Sequence, residues 1–137
     1  MSYQKFYNDY QIKESHLDTF GHVNHATYLQ ILEEIRWDII SERGFSIEDI
    51  QRTQIGPVIL EFNIKYKREL KNREKIKVES QVTKIMKKLM SFEQIIFNSE
   101  GKVAIEAVML IGMFDLKERK LLTPNQDFYK AIGIESI

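Results

Sequence analysis

The stretch A-T-Y-L-Q-I-L-E-E-I-R-W-D-I-I-S-E-R-G, residues 26–44, decides how this chain must fold. Tyr28, Leu32, Ile35 and Ile39 recur at helical spacing, and Leu29, Ile31, Trp37 and Ile40 widen the stripe well beyond a simple amphipathic face. A helix apolar over so much of its circumference is expected to be wrapped by other elements rather than laid on a surface. Asn24 stands where an N-cap is wanted, and Gly44 where a left-handed C-terminal residue is wanted. About 18 residues at ~1.5 Å each make a rod of roughly 27 Å.

On either side of this helix the period changes. Lys5 to Glu14 mixes aromatic and charged residues and reads as a strand. After a short polar connection around Ser46 to Gly56, Val58, Leu60, Phe62, Ile64 and Tyr66 alternate with Ile59, Glu61, Asn63 and Lys65. Ile76, Val78, Ser80 and Val82 alternate in the same way with Lys75, Lys77, Glu79 and Gln81. Period two predicts half-buried strands. Met90 to Phe97 reads as another strand, and Val103 to Phe114, nearly all apolar, as one covered on both faces. The turn Asn98-Ser99-Glu100-Gly101 joins those two as a hairpin. A strand, a long helix and four consecutive strands predict an α+β domain: an antiparallel sheet of about five strands curled around one long central helix. The apolar run at 103–114 predicts that part of the cover comes from a second subunit.

Composition narrows the classes. The 137 residues suit a single domain spanning 1–137, with 43% hydrophobic and 11% aromatic residues as in ordinary globular proteins. Twenty basic residues cancel twenty acidic ones, which argues against a nucleic-acid partner. The absence of cysteine removes disulfides, thiolate metal sites and a Cys nucleophile. No apolar run approaches the ~20 residues a membrane span needs, and the polar start M-S-Y-Q-K-F-Y-N-D-Y is unlike a signal peptide. The expectation is a cytoplasmic protein without membrane attachment.

The polar chemistry is concentrated in D-T-F-G-H-V-N-H-A-T-Y-L, residues 18–29. Asp18, His22, Asn24 and His25 fall just before or at the start of the most apolar helix. A helix N-terminus offers unpaired amides and partial positive charge, which suit a developing oxyanion. A carboxylate beside it can attack a carbonyl or take a proton from water, and an imidazole can orient or shuttle a proton. Read from the residues alone, Asp18 serves equally as a turn cap, His22 as a loop residue bonding the backbone, and Asn24 as a simple N-cap. His25 sits in the first helical turn, where the dipole disfavours a cation but a neutral ring can still hydrogen-bond. His16, His22 and His25 are spaced by six and three, which matches no zinc pattern, so no metal is expected.

Asp18-x-x-Gly21-His22-Val23-Asn24-His25-x-x-Tyr28-Leu29, followed by Leu32-Glu33-Glu34-x-Arg36-Trp37, resembles the signature of the 4-hydroxybenzoyl-CoA thioesterase family of hot-dog proteins. Within it the chain is most similar to the bacterial long-chain acyl-CoA thioesterase branch. The resemblance implies the curled sheet around a helix and hydrolysis of an acyl-CoA to free acid and CoA, without cofactor. It also implies a homodimer or dimer of dimers with active sites at subunit interfaces. It makes Asp18 the catalytic carboxylate, as nucleophile or general base, with His25 beside it. Gly21, His22, Asn24 and Tyr28 would then border the thioester pocket. His25 stands where the long-chain branch carries Asn, and Glu69 and Arg73 replace the usual Pro and Gly of a turn near the CoA site. Because other hot-dog thioesterases place their carboxylate on the helix, Glu33 is the reserve candidate, with Arg36 expected to partner such a Glu.

Between Lys65 and Lys88 there are ten Lys or Arg against three Glu. Such a run reads either as a solvated sheet face or as a rim for phosphates. On the second reading Lys67 and Arg68 would bind CoA, or the phosphopantetheine of an acidic acyl carrier protein. The alternatives from other classes are a hot-dog hydratase or dehydratase acting on acyl thioesters and a non-catalytic acyl-CoA-binding module.

Overall fold

The computed structural model describes residues 2–135. Helix α1 runs His25–Glu42, and the Asn24 side chain starts it by accepting the Ala26 amide at 2.8 Å. It ends at Gly44, which takes a φ of +94° while the Phe45 amide returns to the Ile40 carbonyl. Around it lie β1 (Ser2–Tyr3), β2 (Phe6–Gln11), α2 (Ile47–Thr53), β3 (Ile55–Tyr66) and β4 (Lys75–Ile85). They are followed by β5 (Leu89–Phe97), β6 (Val103–Asp115), β7 (Lys120–Leu122), α3 (Gln126–Ala131) and β8 (Ile134–Glu135). The sheet is antiparallel in the order β2-β4-β5-β6-β3, with β7 paired to β6, and β1 pairs with β8 apart from it. The curled α+β sheet expected from the sequence is present. No helix among the described residues is long and apolar enough to cross a membrane.

The core lies between α1 and one face of the sheet. Tyr28, Ile31, Leu32, Ile35, Ile39 and Ile40 of α1 pack with Ile76, Val78 and Val82 of β4, Met90, Phe92 and Ile96 of β5, and the alternate residues Ile105, Ala107, Met109 and Ile111 of β6. The helix is covered on one side only: Gln30, Glu33, Glu34 and Asp38 face solvent. Leu29 and Trp37 widen the stripe without being fully enclosed.

Two corrections to the sequence reading have local causes. The connection at 46–56 contains α2, started by a reciprocal capping box in which Asp49 N–H meets Ser46 Oγ and Ser46 N–H meets Asp49 Oδ2. On β3, a bulge between Ile59 and Glu61 inserts Leu60 as an extra residue. Register with β6 therefore places Pro57 and Ile59, not Val58 and Leu60, on the same face as Phe62, Ile64 and Tyr66. A single unpaired residue reverses the alternation read from the sequence.

Candidate active site

Asp18 opens a tight loop tied at its base by a bridge between Leu17 and Val23. Its amide donates to the His22 carbonyl at 2.8 Å, and the Gly21 amide returns to the Asp18 carbonyl at 3.0 Å. Gly21 takes a φ of +80°, which costs any side-chain-bearing residue about 1–2 kcal/mol. Asp18 Oδ1 accepts the amides of Phe20 at 2.9 Å and His22 at 3.1 Å, whereas among the described residues Oδ2 has no hydrogen-bond partner. One oxygen thus holds the turn, and the side chain is otherwise exposed.

A cleft of about 340 Å³ lies at the start of α1. His25 and Tyr28 line it from the helix, and Tyr66, Lys67, Arg68 and Glu69 from the end of β3. Tyr66 Oη donates to the His25 carbonyl at 2.9 Å, and its ring meets that of Tyr28 edge-on with centroids 5.6 Å apart. These contacts fasten the strand end to the first helical turn, where the leading amides have no intrahelical acceptor. Burial pushes the Tyr28 phenol up from its ordinary value.

The structure brings His25, Tyr28, Lys67 and Arg68 to this one cleft, whereas Asp18, Gly21, His22 and Asn24 do not line it. The Asp18 loop reaches it indirectly, since His22 Nδ1 lies 3.6 Å from Glu69 Oε1. The three histidines face three different partners: His16 meets Tyr10, His22 meets Glu69, and His25 opens onto the cleft. The basic run is less free than its count suggests. Lys67 pairs with Glu106 at 3.1 Å, Arg68 donates to the Val103 carbonyl at 2.6 Å, and Arg73 forks onto Glu14. These acceptors are distant in sequence, so a local charge count cannot see them.

Glu33 belongs to a second, smaller cavity of about 90 Å³ between α1 and β3, shared with Arg36, Trp37, Pro57 and Ile59. Arg36 does not pair with a glutamate as expected. Its Nη1 donates to Gln94 Oε1 at 2.9 Å, and its guanidinium lies 6.0 Å from the Phe62 ring centroid. Burial lowers its pKa, with the nearby Glu33 charge opposing. Gln94 is fully buried and donates in turn to the Leu32 carbonyl at 3.2 Å and Ser80 Oγ at 3.1 Å. Sequence reasoning missed this network. Its signal was two polar residues, Ser80 and Gln94, at inward positions of otherwise apolar alternations.

Arg73 and Glu69, the two departures in the turn before β4, both contact the segment around Asp18. Arg73 adopts a φ of +64°, a conformation glycine suits better, and binds Glu14 through two guanidinium nitrogens. That pairing holds the Glu14 carboxyl down at about 2. Glu69 meets His22.

Comparison with known proteins agrees with this architecture. The profile of the thioesterase-like superfamily matches residues 13–132. The chain is 33% identical over 113 residues to the long-chain acyl-CoA thioesterase FadM of Escherichia coli K12, covering 82% of this chain and 85% of that protein. A DHNA-CoA thioesterase structure from Staphylococcus aureus superposes with a TM-score of 0.81 at 24% identity, covering 93% of this chain and 87% of that one. A second Staphylococcus aureus protein, solved in complex with CoA, superposes with a TM-score of 0.86 at 17% identity, covering 96% of this chain and 84% of that one. The chain belongs to the thioesterase-like superfamily and is a hot-dog thioester hydrolase.

Proposed function

We propose that this protein hydrolyses an acyl-CoA to the free carboxylic acid and CoA, with Asp18 as the reacting carboxylate. The observation that carries this reading is the meeting of His25, Tyr28, Lys67 and Arg68 at one cleft on the N-terminus of α1, with the Asp18 loop leading directly into that helix. The FadM similarity and the CoA-bound structural neighbour support the substrate class. The thioester carbonyl is polarised by the leading amides of α1. Asp18 Oδ2 either takes a proton from water as its oxygen attacks that carbonyl, or attacks it directly to give a mixed anhydride that water then opens. In both routes the C–S bond breaks, the sulfur leaves as CoA thiolate and is protonated, and the acyl group departs as carboxylate. Lys67 and Arg68 attract the nucleotide phosphates, and an acyl carrier protein is the other donor this basic rim accommodates.

The site is completed in a homo-oligomer. Strand β3 is a sheet edge, and it exposes Ile59 at 41%, Leu60 at 50% and Tyr66 at 47%. A long apolar edge with unpaired backbone is a template for a second copy. The inner face of β6 is covered by α1, while its outer face still exposes Val108 at 40%.

The test is Asp18→Asn, which keeps side-chain size and the turn-holding oxygen. It should fold, bind acyl-CoA and lose about 10²-fold or more in kcat. A rate within a few-fold of the parent refutes the role of Asp18 and makes Glu33→Gln the next variant. Single turnover in ¹⁸O-water separates the two routes: attack by water on the thioester labels the product acid, whereas an anhydride opened by water at the Asp18 carbonyl labels Asp18.

A further inference from the structure

A polar chain outside the cleft joins three elements at the foot of the Asp18 loop. Tyr10 Oη on β2 donates to Glu34 Oε2 on α1 at 2.7 Å. The same hydroxyl lies 3.2 Å from His16 Nε2, on a short 3-10 turn at Glu14–His16, and the two rings are tilted 38° with centroids 5.7 Å apart. His16 Nδ1 accepts the Lys13 amide at 2.9 Å. A ring nitrogen that accepts a backbone N–H carries no proton, so the neutral ring holds its proton on Nε2. The direction of the chain follows: His16 Nε2–H donates to Tyr10 Oη, and the single Tyr10 proton goes to Glu34.

The backbone of His16 is equally committed. Its carbonyl faces the amide of Asn24, the residue that caps α1, at 3.4 Å, and Leu17, next along, forms the bridge to Val23. Asp18 follows two residues after the ring. We propose that Glu34, Tyr10 and His16 form a positioning chain that sets the loop bearing Asp18 in register with the N-terminus of α1. This rests on Asp18 being the reacting carboxylate. None of the three residues touches the cleft, so each acts through the loop.

The charged groups around the ring are Glu34 from α1, with Asp38 beyond Tyr10, and Lys13 and Glu14 from its own turn. Burial, assisted by Lys13 and opposed by Glu34, holds His16 below its ordinary value, which keeps the ring neutral and the chain intact. Burial, and then the Glu34 carboxylate, push the Tyr10 phenol up, so it remains a donor. Protonating His16 puts a proton on Nδ1 and displaces the Lys13 amide.

Tyr10→Phe removes the hydroxyl alone. Two readouts are taken well below the melting temperature: hydrogen exchange at the Phe20 and His22 amides, which bind Asp18, and kcat against KM for an acyl-CoA. The chain requires faster exchange at both amides and a kcat lowered about 10- to 10²-fold with KM little changed. Glu34→Ala should reproduce this, and Glu34→Gln, which keeps a carbonyl acceptor, should lose less. Unchanged exchange at Phe20 and His22 overturns the proposal, even if the melting temperature falls, since the hydroxyl then only stabilises the fold. Faster exchange with unchanged kcat upholds the positioning chain and overturns the assignment of Asp18.

Discussion

Single residues at the helix start carry separable duties. Asn24 satisfies an orphan amide of α1, so Asn24→Ala should cost about 1 kcal/mol of stability, measured by denaturant unfolding. His25 contributes its carbonyl to Tyr66 and its ring to the cleft. Because the backbone bond survives substitution, His25→Ala should keep the fold and lower kcat by less than Asp18→Asn does. A His25→Ala defect as large as that of Asp18→Asn shifts proton transfer onto the imidazole. Lys67 pairs with Glu106, and under the proposed function it also meets a CoA phosphate. Its reversal to Glu should raise KM for acyl-CoA several-fold with kcat little changed, and the parent KM should rise with salt as the Debye length shortens from about 8 Å. A KM indifferent to salt returns Lys67 and Arg68 to the solvated surface.

Contacts between elements decide what the residue pattern leaves open. The network Arg36–Gln94–Ser80 spans α1, β5 and β4 and leaves a half-buried guanidinium dependent on one amide oxygen. Gln94→Leu strands that donor and Ser80, and should cost about 1–3 kcal/mol despite adding apolar volume. The Glu14–Arg73 fork ties the turn before Asp18 to the turn before β4. Its pH sign is fixed by the lowered carboxyl: with a folded value of about 2 against 4.5 unfolded, its stabilisation is present above the unfolded value and lost as pH falls through the folded one. Arg73→Met keeps a side chain at the same positive φ but removes the fork. Its melting temperature should therefore fall less steeply than the parent's between about pH 5 and pH 2. Parallel curves for the two proteins show that the fork adds nothing, as exposed pairs often do.

At the scale of the whole molecule, the sheet has one apolar edge and the cleft lies at the end of that edge strand. Assembly and activity are therefore expected to fail together. Leu60→Lys places a charge on the bulge at the centre of β3, where it can point to solvent in a monomer but not in a paired edge. Sedimentation should then show a dissociated protein with much reduced turnover, its secondary structure retained by circular dichroism. A parent that is itself monomeric at micromolar concentration removes the edge as an interface.

Much of this was legible in the chain. The 3.6-residue stripe of 28–40, the Asn24 cap and the period-two runs at 76–82 and 90–97 specify a helix on a curled sheet, because burial of one face dictates those spacings. The Asp18–Tyr28 motif located the loop and the helix start for the same local reason. Some outcomes depend on residues far apart in sequence. The bulge at Leu60, the neutralisation of Lys67 by Glu106, the turn of Arg36 to Gln94 and the Tyr10–His16–Glu34 chain all required register across strands or against the helix. Periodicity reports which face of an element is dry, since that is a local property. Which partner a polar side chain finds is set by how separate elements pack, and only the tertiary structure holds that information.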